Sequence, residues 1–200
     1  MIDRFIYPVQ ARLLQPLAHA LAGLGIHANA VTVIGFAVGL AALPLLATQR
    51  YDGALAAILA NRFLDGLDGA LARCTQSSDR GAFLDIAFDF VFYACIPLGF
   101  VLADPATNAL PGAVLLFAFM GTSTSFLAFS SIAAGRGMTA ANYPTKGIYY
   151  LGGVTEGAET VAVFIAMCLW PNAFAMIAYV FAGLCGITTL TRWWWGWKSF

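Results

Sequence analysis

Six stretches of mostly apolar residues occupy most of this 200-residue chain, and each is about as long as the roughly 20 residues that cross a bilayer. The sequence is 60% hydrophobic and 10% charged, whereas soluble domains carry about 25% charged residues. We therefore predict an all-α integral membrane protein, a bundle of six transmembrane helices. The predicted spans are residues 29–48, 52–72, 82–103, 112–134, 148–169 and 172–190.

The first 24 residues show a different pattern, in which apolar residues recur at helical spacing. They lie on one face of a helix, with charged and amide side chains off that face. This pattern predicts an amphipathic helix in the membrane interface, before the six spans of residues 29–190. The whole chain, 1–200, is then expected to form a single membrane domain. The apolar face consists of Ile2, Phe5, Ile6, Val9, Leu13, Leu17 and Leu21.

Basic residues predict the orientation of these spans. An even number of spans places both termini on one side, and that side holds nearly all lysines and arginines, whereas the other holds only Arg50. Because basic loops face the cytoplasm, we expect both termini on the cytoplasmic face of the cytoplasmic (inner) membrane. Formal net charge is zero, so nothing in the charge balance favours a nucleic-acid partner.

Four aspartates lie inside two of the apolar stretches, near the predicted cytoplasmic ends. Asp65 and Asp68 share one face of the second span, and Asp85 and Asp89 share one face of the third. The two spans are antiparallel neighbours, so the acidic pairs can meet at similar depth. Carboxylates are costly in hydrocarbon unless they are neutralised, and they are preferred ligands of Mg²⁺ and Mn²⁺. The cluster predicts two divalent cations, a recurring device for displacement at phosphorus.

Another interpretation gives the acids a purely structural role. Arg62 and Arg73 could each neutralise one carboxylate and hold the helices together. That arrangement would leave two of the four acids unpaired, which favours the metal interpretation.

The spacing of these residues, D-x2-D-G-x2-A-R-x7-G-x3-D-x3-D, closely resembles the signature of the CDP-alcohol phosphotransferases, also called CDP-alcohol phosphatidyltransferases. The resemblance implies six transmembrane helices, a polar cavity facing the cytoplasm, a homodimer, and dependence on Mg²⁺ or Mn²⁺. It implies a transferase that moves a substituted phosphate from a CDP-alcohol to an acceptor hydroxyl and releases CMP. The pattern is completed by Asp65, Asp68, Gly69, Ala72, Arg73, Gly81, Asp85 and Asp89.

The resemblance also implies individual roles. Asp65, Asp68, Asp85 and Asp89 would hold the metals, and Asp89 would also accept the proton of the incoming hydroxyl. Nucleotide contacts are expected from Asn29, Thr32, Asp68, Gly69, Ala72, Arg73, Ser78 and Gly81.

The residue types suit these roles. The small residues of the motif let a ligand approach the helix backbone, and Arg73 can donate two parallel hydrogen bonds to a phosphate. Asn29 has a second interpretation as the N-cap of the first span.

Four further residues are candidates for the acceptor site: Arg136, Lys146, Glu156 and Glu159. The two glutamates are three residues apart in the predicted fifth span, and intramembrane acids are functional candidates. They could instead form a salt bridge with Arg62. Arg136 and Lys146 could clamp a phosphorylated acceptor or could simply be interfacial charges. We expect CDP-diacylglycerol as donor and a small polyol or polyol phosphate, such as glycerol 3-phosphate, as acceptor.

A divalent-cation transporter is the alternative from another functional class, because transporters also use intramembrane carboxylates. The chain lacks an internal inverted repeat, and ion passage does not explain the glycine and arginine positions of the motif. Both observations favour the transferase.

Overall fold

A computed structural model describes residues 3–137 and 153–200, with side chains from residue 9 onward. Within these ranges the chain forms helices and no strand, which confirms the predicted all-α class. The α-helices are α1 Asp3–Gly23, α2 Ala28–Leu40, α3 Ala42–Ala47, α4 Tyr51–Cys74, α5 Asp79–Ala103, α6 Pro105–Gly135, α7 Gly157–Leu169 and α8 Phe174–Ser199. A 3₁₀ turn, Pro171–Ala173, precedes α8.

Among the described residues, four helical segments are long and apolar enough to cross a membrane. They are Ala28–Ala47, which combines α2 and α3, then Asp79–Ala103, Pro105–Gly135 and Pro171–Ser199. Helix α4 has 24 residues but carries five charged side chains, and α7 has only 13 residues. Helix α4 is therefore too charged, and α7 too short, to be counted with these four segments. The number of six spans stays a prediction.

Helices α5 and α6 begin earlier than the apolar pattern predicted. Ser78 caps α5, where its Oγ accepts a hydrogen bond from the Gly81 amide at 3.1 Å. Asp104 caps α6 through the Thr107 amide at 3.3 Å, and Pro105 occupies the first turn. The span predicted over residues 112–134 lies within α6, which begins earlier because proline is compatible with the first turn of a helix. Pro111 lies inside this helix.

The start of α7 also differs from the prediction. Residues 153–156 are not helical, residues 148–152 lie outside the described ranges, and Glu156 is the N-cap of a helix that begins at Gly157. The Glu156 and Glu159 side chains form a reciprocal capping box. The spacing of three residues between the two glutamates therefore allows them to cap the first turn of α7.

Helix α1 packs against α4. Leu14 and Ala18 of α1 are buried together with Leu67, Ala70 and Leu71 of α4. The helix ends before Gly25, whose φ of +75° suits glycine. The predicted helix at residues 1–24 is therefore present over Asp3–Gly23, while its position in the membrane interface stays a prediction.

The main core joins α5 to the C-terminal helices through aromatic side chains. Phe100 of α5 stacks on Phe174, with ring centroids 4.6 Å apart. Phe92 and Phe164, both fully buried, meet edge to face at 6.4 Å. These aromatic contacts fix α5 against α7 and α8 and thereby hold the acid-bearing face of α5 towards α2 and α4.

Close helix approach in this core depends on Gly99. A Cβ atom at Gly99 would lie 2.6 Å from the Leu46 Cβ, closer than packed carbon atoms allow. We expect Gly99→Ala to destabilise the protein by about 1–3 kcal/mol because overpacking forces the helices apart. Thermal unfolding in detergent micelles would measure the effect.

Gly183→Ala is the matched control. This helical glycine has no neighbour within 4 Å of an added Cβ. Alanine is a better helix former than glycine, so the unfolding temperature of the Gly183→Ala variant should be unchanged or raised. Equal unfolding temperatures for both variants would contradict the packing argument.

Candidate active site

The four aspartates line one small pocket among α2, α4 and α5. Its cavity volume of about 10 Å³ is close to the room that a single ordered water needs. Helix α2 contributes small and aromatic residues, whereas α4 and α5 contribute the charged ones. The lining consists of Thr32, Gly35, Phe36, Asn61, Arg62, Asp65, Asp68, Asp85, Phe88 and Asp89.

Three of the four carboxylates converge. Asp65, Asp85 and Asp89 each offer an oxygen, and these oxygens lie within 4.8 Å of one another. One acid comes from α4 and two come from α5, so an acid of the first predicted pair meets both acids of the second. Three carboxylates at this spacing could share a hard divalent cation.

Asp68 lines the same pocket but lies outside this group of three, so the predicted set of four is only partly assembled. Its side chain is 6% exposed, and its Oδ2 atom has no hydrogen-bond partner among the described residues. A buried carboxylate oxygen without a partner is costly, because its lost hydration is not replaced. A cation or a hydrogen-bond donor from a bound ligand would therefore stabilise the Oδ2 atom of Asp68.

Arg62 is the positively charged residue in the lining of the pocket. Its Nη2 lies 2.8 Å from Asp89 Oδ1, and its Nη1 lies 3.6 Å from Asp65 Oδ2. The structural interpretation of the acids is thus correct for these two ion pairs. Arg73, which the same interpretation paired with an acid, instead lies at the end of α4 with its guanidinium beside Gly69.

Several residues predicted to contact the nucleotide lie together at the start of α5. An added Cβ at Gly81 would lie 2.7 Å from Asn29 Oδ1 and 3.3 Å from Ser78 Oγ. Glycine thus permits Asn29 to approach the turn before α5. The N-cap of α2 is His27, so the interpretation of Asn29 as the cap was wrong.

The remaining predicted nucleotide residues lie on α2 and α4 beside the pocket. Thr32 lies one turn after Ala28, whose carbonyl accepts its hydroxyl at 3.1 Å, and it lines the pocket with Asp68. Gly69 and Ala72 are partly exposed, and Arg73 is exposed at the rim. These positions leave the α4 backbone accessible beside the acids.

The predicted acceptor residues are more dispersed. Arg136 is an exposed C-cap of α6, and its guanidinium lies 3.4 Å from the Phe200 carbonyl oxygen and 4.9 Å from the Phe200 ring. Lys146 lies outside the described residues. Glu156 accepts the Gly153 amide at 3.0 Å and belongs to the capping box with Glu159.

Sequence reasoning missed a second polar cluster, between α6, α7 and α8. Arg192 is 7% exposed although its position suggested an interfacial charge, and its Nη1 donates to the Thr122 carbonyl at 2.9 Å. Thr188, fully buried, accepts the amides of Val154 and Thr155 at 3.2 and 3.0 Å. The available signal was a group of polar residues near the end of the last apolar span, namely Thr188, Thr189, Thr191 and Arg192.

These features define a helical membrane protein with a carboxylate-rich site between neighbouring helices. The chain belongs to the CDP-alcohol phosphatidyltransferase family, which its sequence matches over residues 25–195. It is therefore a membrane transferase of phospholipid biosynthesis, and the family membership favours this enzyme class over the cation transporter.

Two relatives match nearly the whole chain. The inner membrane protein YnjF of Escherichia coli is 50% identical over 199 residues, covering 100% of this chain and 97% of the relative. An archaetidylinositol phosphate synthase of Pyrococcus horikoshii is 31% identical, covering 94% and 92% of the two chains.

Solved structures show the same fold. The Mycobacterium tuberculosis phosphatidylinositol phosphate synthase with CDP-DAG bound has a TM-score of 0.73 at 21% identity, covering 93% of this chain and 94% of that one. A structure of the same synthase with manganese and citrate has a TM-score of 0.74, covering 92% and 88% of the two chains.

The buried Asp68 oxygen generates a prediction about stability. Asp68→Asn removes a negative charge from the acidic pocket, so we expect a higher unfolding temperature in EDTA than for the unchanged protein. Stabilisation by added Mn²⁺ should shrink, because one ligand charge is lost. Thermal unfolding with and without Mn²⁺ measures both effects.

Asp79→Asn is a suitable control because Asp79 lies in the exposed first turn of α5. It should leave the Mn²⁺ effect unchanged. A lower unfolding temperature of Asp68→Asn in EDTA would show that the carboxylate is already satisfied without a cation.

Proposed function

We propose that this protein transfers the phosphatidyl group of CDP-diacylglycerol to the hydroxyl of a small polyol phosphate and releases CMP. The convergence of Asp65, Asp85 and Asp89 within 4.8 Å carries this proposal, because it places acids of both halves of the motif at one point. The donor is inferred from the solved synthase of the same fold, which has CDP-DAG bound.

The acids suit divalent cations. The converging carboxylates are hard oxygen donors, and Asp68, whose Oδ2 is unpartnered among the described residues, lines the same pocket. Two Mg²⁺ or Mn²⁺ ions held by Asp65, Asp68, Asp85 and Asp89 would polarise the phosphate and neutralise its developing charge. A synthase of the same fold in complex with manganese supports this assignment.

Asp89 is the proposed proton acceptor for the incoming hydroxyl. Its side chain is 29% exposed, so a substrate in the pocket can reach it. Oδ1 is held by Arg62 at 2.8 Å, which fixes the orientation of the carboxylate. Removing the proton as the oxygen attacks phosphorus makes the hydroxyl a better nucleophile.

We assign the nucleotide and phosphates of the donor to the surface formed by the start of α5 and the neighbouring parts of α2 and α4. Asn29, Ser78 and Gly81 form a compact group at the start of α5 that suits polar contacts to cytidine. Thr32, Gly69 and Ala72 offer little bulk, so the donor can lie against α2 and α4. Arg73 is exposed at the rim and can donate two hydrogen bonds to a phosphate.

The acceptor is proposed to carry a phosphate of its own. Two relatives by sequence or fold are named as synthases of inositol phosphate lipids. Arg136 is exposed, and with Lys146 it would clamp that phosphate. The capping box gives Glu156 and Glu159 a structural role at α7, so any contact of theirs with an acceptor hydroxyl would be secondary.

The membrane arrangement is proposed as well. Six spans with an interfacial α1 would place both termini and the acidic pocket on the cytoplasmic side of the inner membrane, within one domain of residues 1–200. Helices α4 and α7 would complete the set of spans. A homodimer is expected by resemblance to the family.

A transferase assay tests the chemistry. Purified protein with CDP-diacylglycerol and Mn²⁺ should release CMP and form a new lipid with inositol phosphate or glycerol 3-phosphate. EDTA should abolish turnover, and Mg²⁺ or Mn²⁺ should restore it, because unneutralised acids would repel the donor phosphates. Mass spectrometry of the lipid products identifies the acceptor.

Free inositol, glycerol and serine complete the acceptor panel. Efficient use of these uncharged or zwitterionic acceptors, with no gain from a phosphate, would contradict the phosphorylated-acceptor proposal. Full turnover in EDTA would overturn the metal assignment.

Asp89→Asn separates binding from chemistry. We expect CMP release to fall by about 10²-fold or more, because a positioned base contributes about 10²–10⁴-fold. CDP-diacylglycerol binding, followed by the ligand-induced shift in unfolding temperature, should be partly retained. Asp104→Asn, which changes the cap of α6 at the opposite end of α5, is the control and should turn over normally. Normal turnover by Asp89→Asn would remove Asp89 from the reaction.

A further inference from the structure

Arg62 lies outside the eight positions of the family pattern, one helical turn before Asp65. Its side chain is 16% exposed, and it makes ion pairs with both Asp89 and Asp65. A half-buried arginine in this position brings a fixed positive charge into the pocket proposed to bind cations. Arginine stays protonated, so this charge is permanent.

Neutral groups also contact the guanidinium. Arg62 Nε donates to Asn61 Oδ1 at 2.8 Å, and Nη1 donates to the Tyr93 hydroxyl at 3.2 Å. The Phe92 ring centroid is 4.6 Å from Cζ. Asn61 is itself fixed, because its Nδ2 donates to the Gly35 carbonyl at 2.8 Å.

These contacts with Asn61, Tyr93 and Phe92 do not involve the carboxylates. If Asp65 and Asp89 turn towards a cation, Arg62 keeps its contacts with Asn61, Tyr93 and Phe92. The ion pairs can therefore weaken without loss of the arginine's position. The Arg62 charge therefore acts on the acids both in the metal-free pocket and in the pocket with a bound cation.

We propose that Arg62 is an internal counter-ion of the acidic pocket that competes with divalent cations for Asp65 and Asp89 and so sets the metal affinity. In the metal-free protein it neutralises the two acids and limits their mutual repulsion. When a cation binds, the ion pairs loosen, and Arg62 continues to orient Asp89. Arg62 is thus a positioning residue, and this inference rests on the proposed function for the metal site.

The charges in the pocket favour competition between Arg62 and a cation over a role in which Arg62 only holds the acids in place. A bound cation and Arg62 would both draw on the negative charge of Asp89, and like charges close together in a poorly hydrated pocket repel. Removing the arginine should leave the acids more negative and hence more attractive to a cation. The same removal should harm the metal-free protein, which loses its counter-charge.

The test uses the full chain in detergent micelles with Mn²⁺ as the probe. Mn²⁺ affinity is measured by the loss of the free-ion signal in electron paramagnetic resonance, and stability by thermal unfolding in EDTA and in saturating Mn²⁺. Arg62→Met keeps the length and apolar stem of the side chain, and Arg62→Lys keeps the charge. Arg50→Met, at the exposed start of α4, is the matched control.

We expect Arg62→Met to bind Mn²⁺ about 5- to 150-fold more tightly, the usual range of coupling between two sites. It should unfold at a lower temperature than the unchanged protein in EDTA, and saturating Mn²⁺ should remove most of this difference. Arg62→Lys should show affinities near the original value. Arg50→Met should change neither quantity.

Unchanged or weaker Mn²⁺ binding by Arg62→Met would overturn the proposal, as would an equal loss of stability with and without Mn²⁺. If Arg62→Met fails to fold, Arg62→Lys decides, because a changed Mn²⁺ affinity at conserved charge would contradict competition by charge. Absence of Mn²⁺ binding by the unchanged protein would be a separate result that removes the metal site of the proposed function.

Discussion

The dominant constraint on this protein is the close approach of several carboxylates between apolar helices. Asp65, Asp85 and Asp89 bring their oxygens within 4.8 Å, and Arg62 reaches two of them. Without a nearby positive charge, such a cluster would repel itself in a medium that hydrates it poorly. The rest of the site follows from this need, since Asn61, Tyr93 and Phe92 surround Arg62 and support it.

Helix α4 connects this cluster to the remainder of the bundle. One of its faces carries the acids towards α2 and α5, and another packs on α1 through Leu67, Ala70 and Leu71. Gly66 lies directly after Asp65, and an added Cβ there would collide with Gln10 of α1. A helix that is too charged to be an ordinary lipid-facing span is therefore covered by neighbours on both sides. This arrangement couples the packing of α1 to the position of the acids.

Local spacing along the chain was sufficient to predict part of the site. Residues three and four apart share a helix face, so the pairs Asp65–Asp68 and Asp85–Asp89 could be placed from the sequence alone. Spacing was insufficient to predict where helices begin, because the first backbone amides of a helix need hydrogen-bond partners from outside it. Glu156 and Glu159 were placed inside the fifth span, whereas they form the capping box at the start of α7, and the span predicted from residue 112 belongs to a helix that begins at Pro105. Caps depend on a few atoms at helix ends, which hydropathy does not register.

The sequence by itself determined the helical class, the family and the residues proposed to carry its chemistry, because hydropathy and motif spacing are properties of the chain. Only the tertiary structure decided which carboxylates converge, which one has a buried oxygen without a hydrogen-bond partner among the described residues, and which arginine lies beside them. Asp68 lies outside the group of three, and Arg62 rather than Arg73 pairs with the acids. Those outcomes depend on the rotation of α4 against α5 and on side-chain reach across the helices, which no spacing along a single helix specifies.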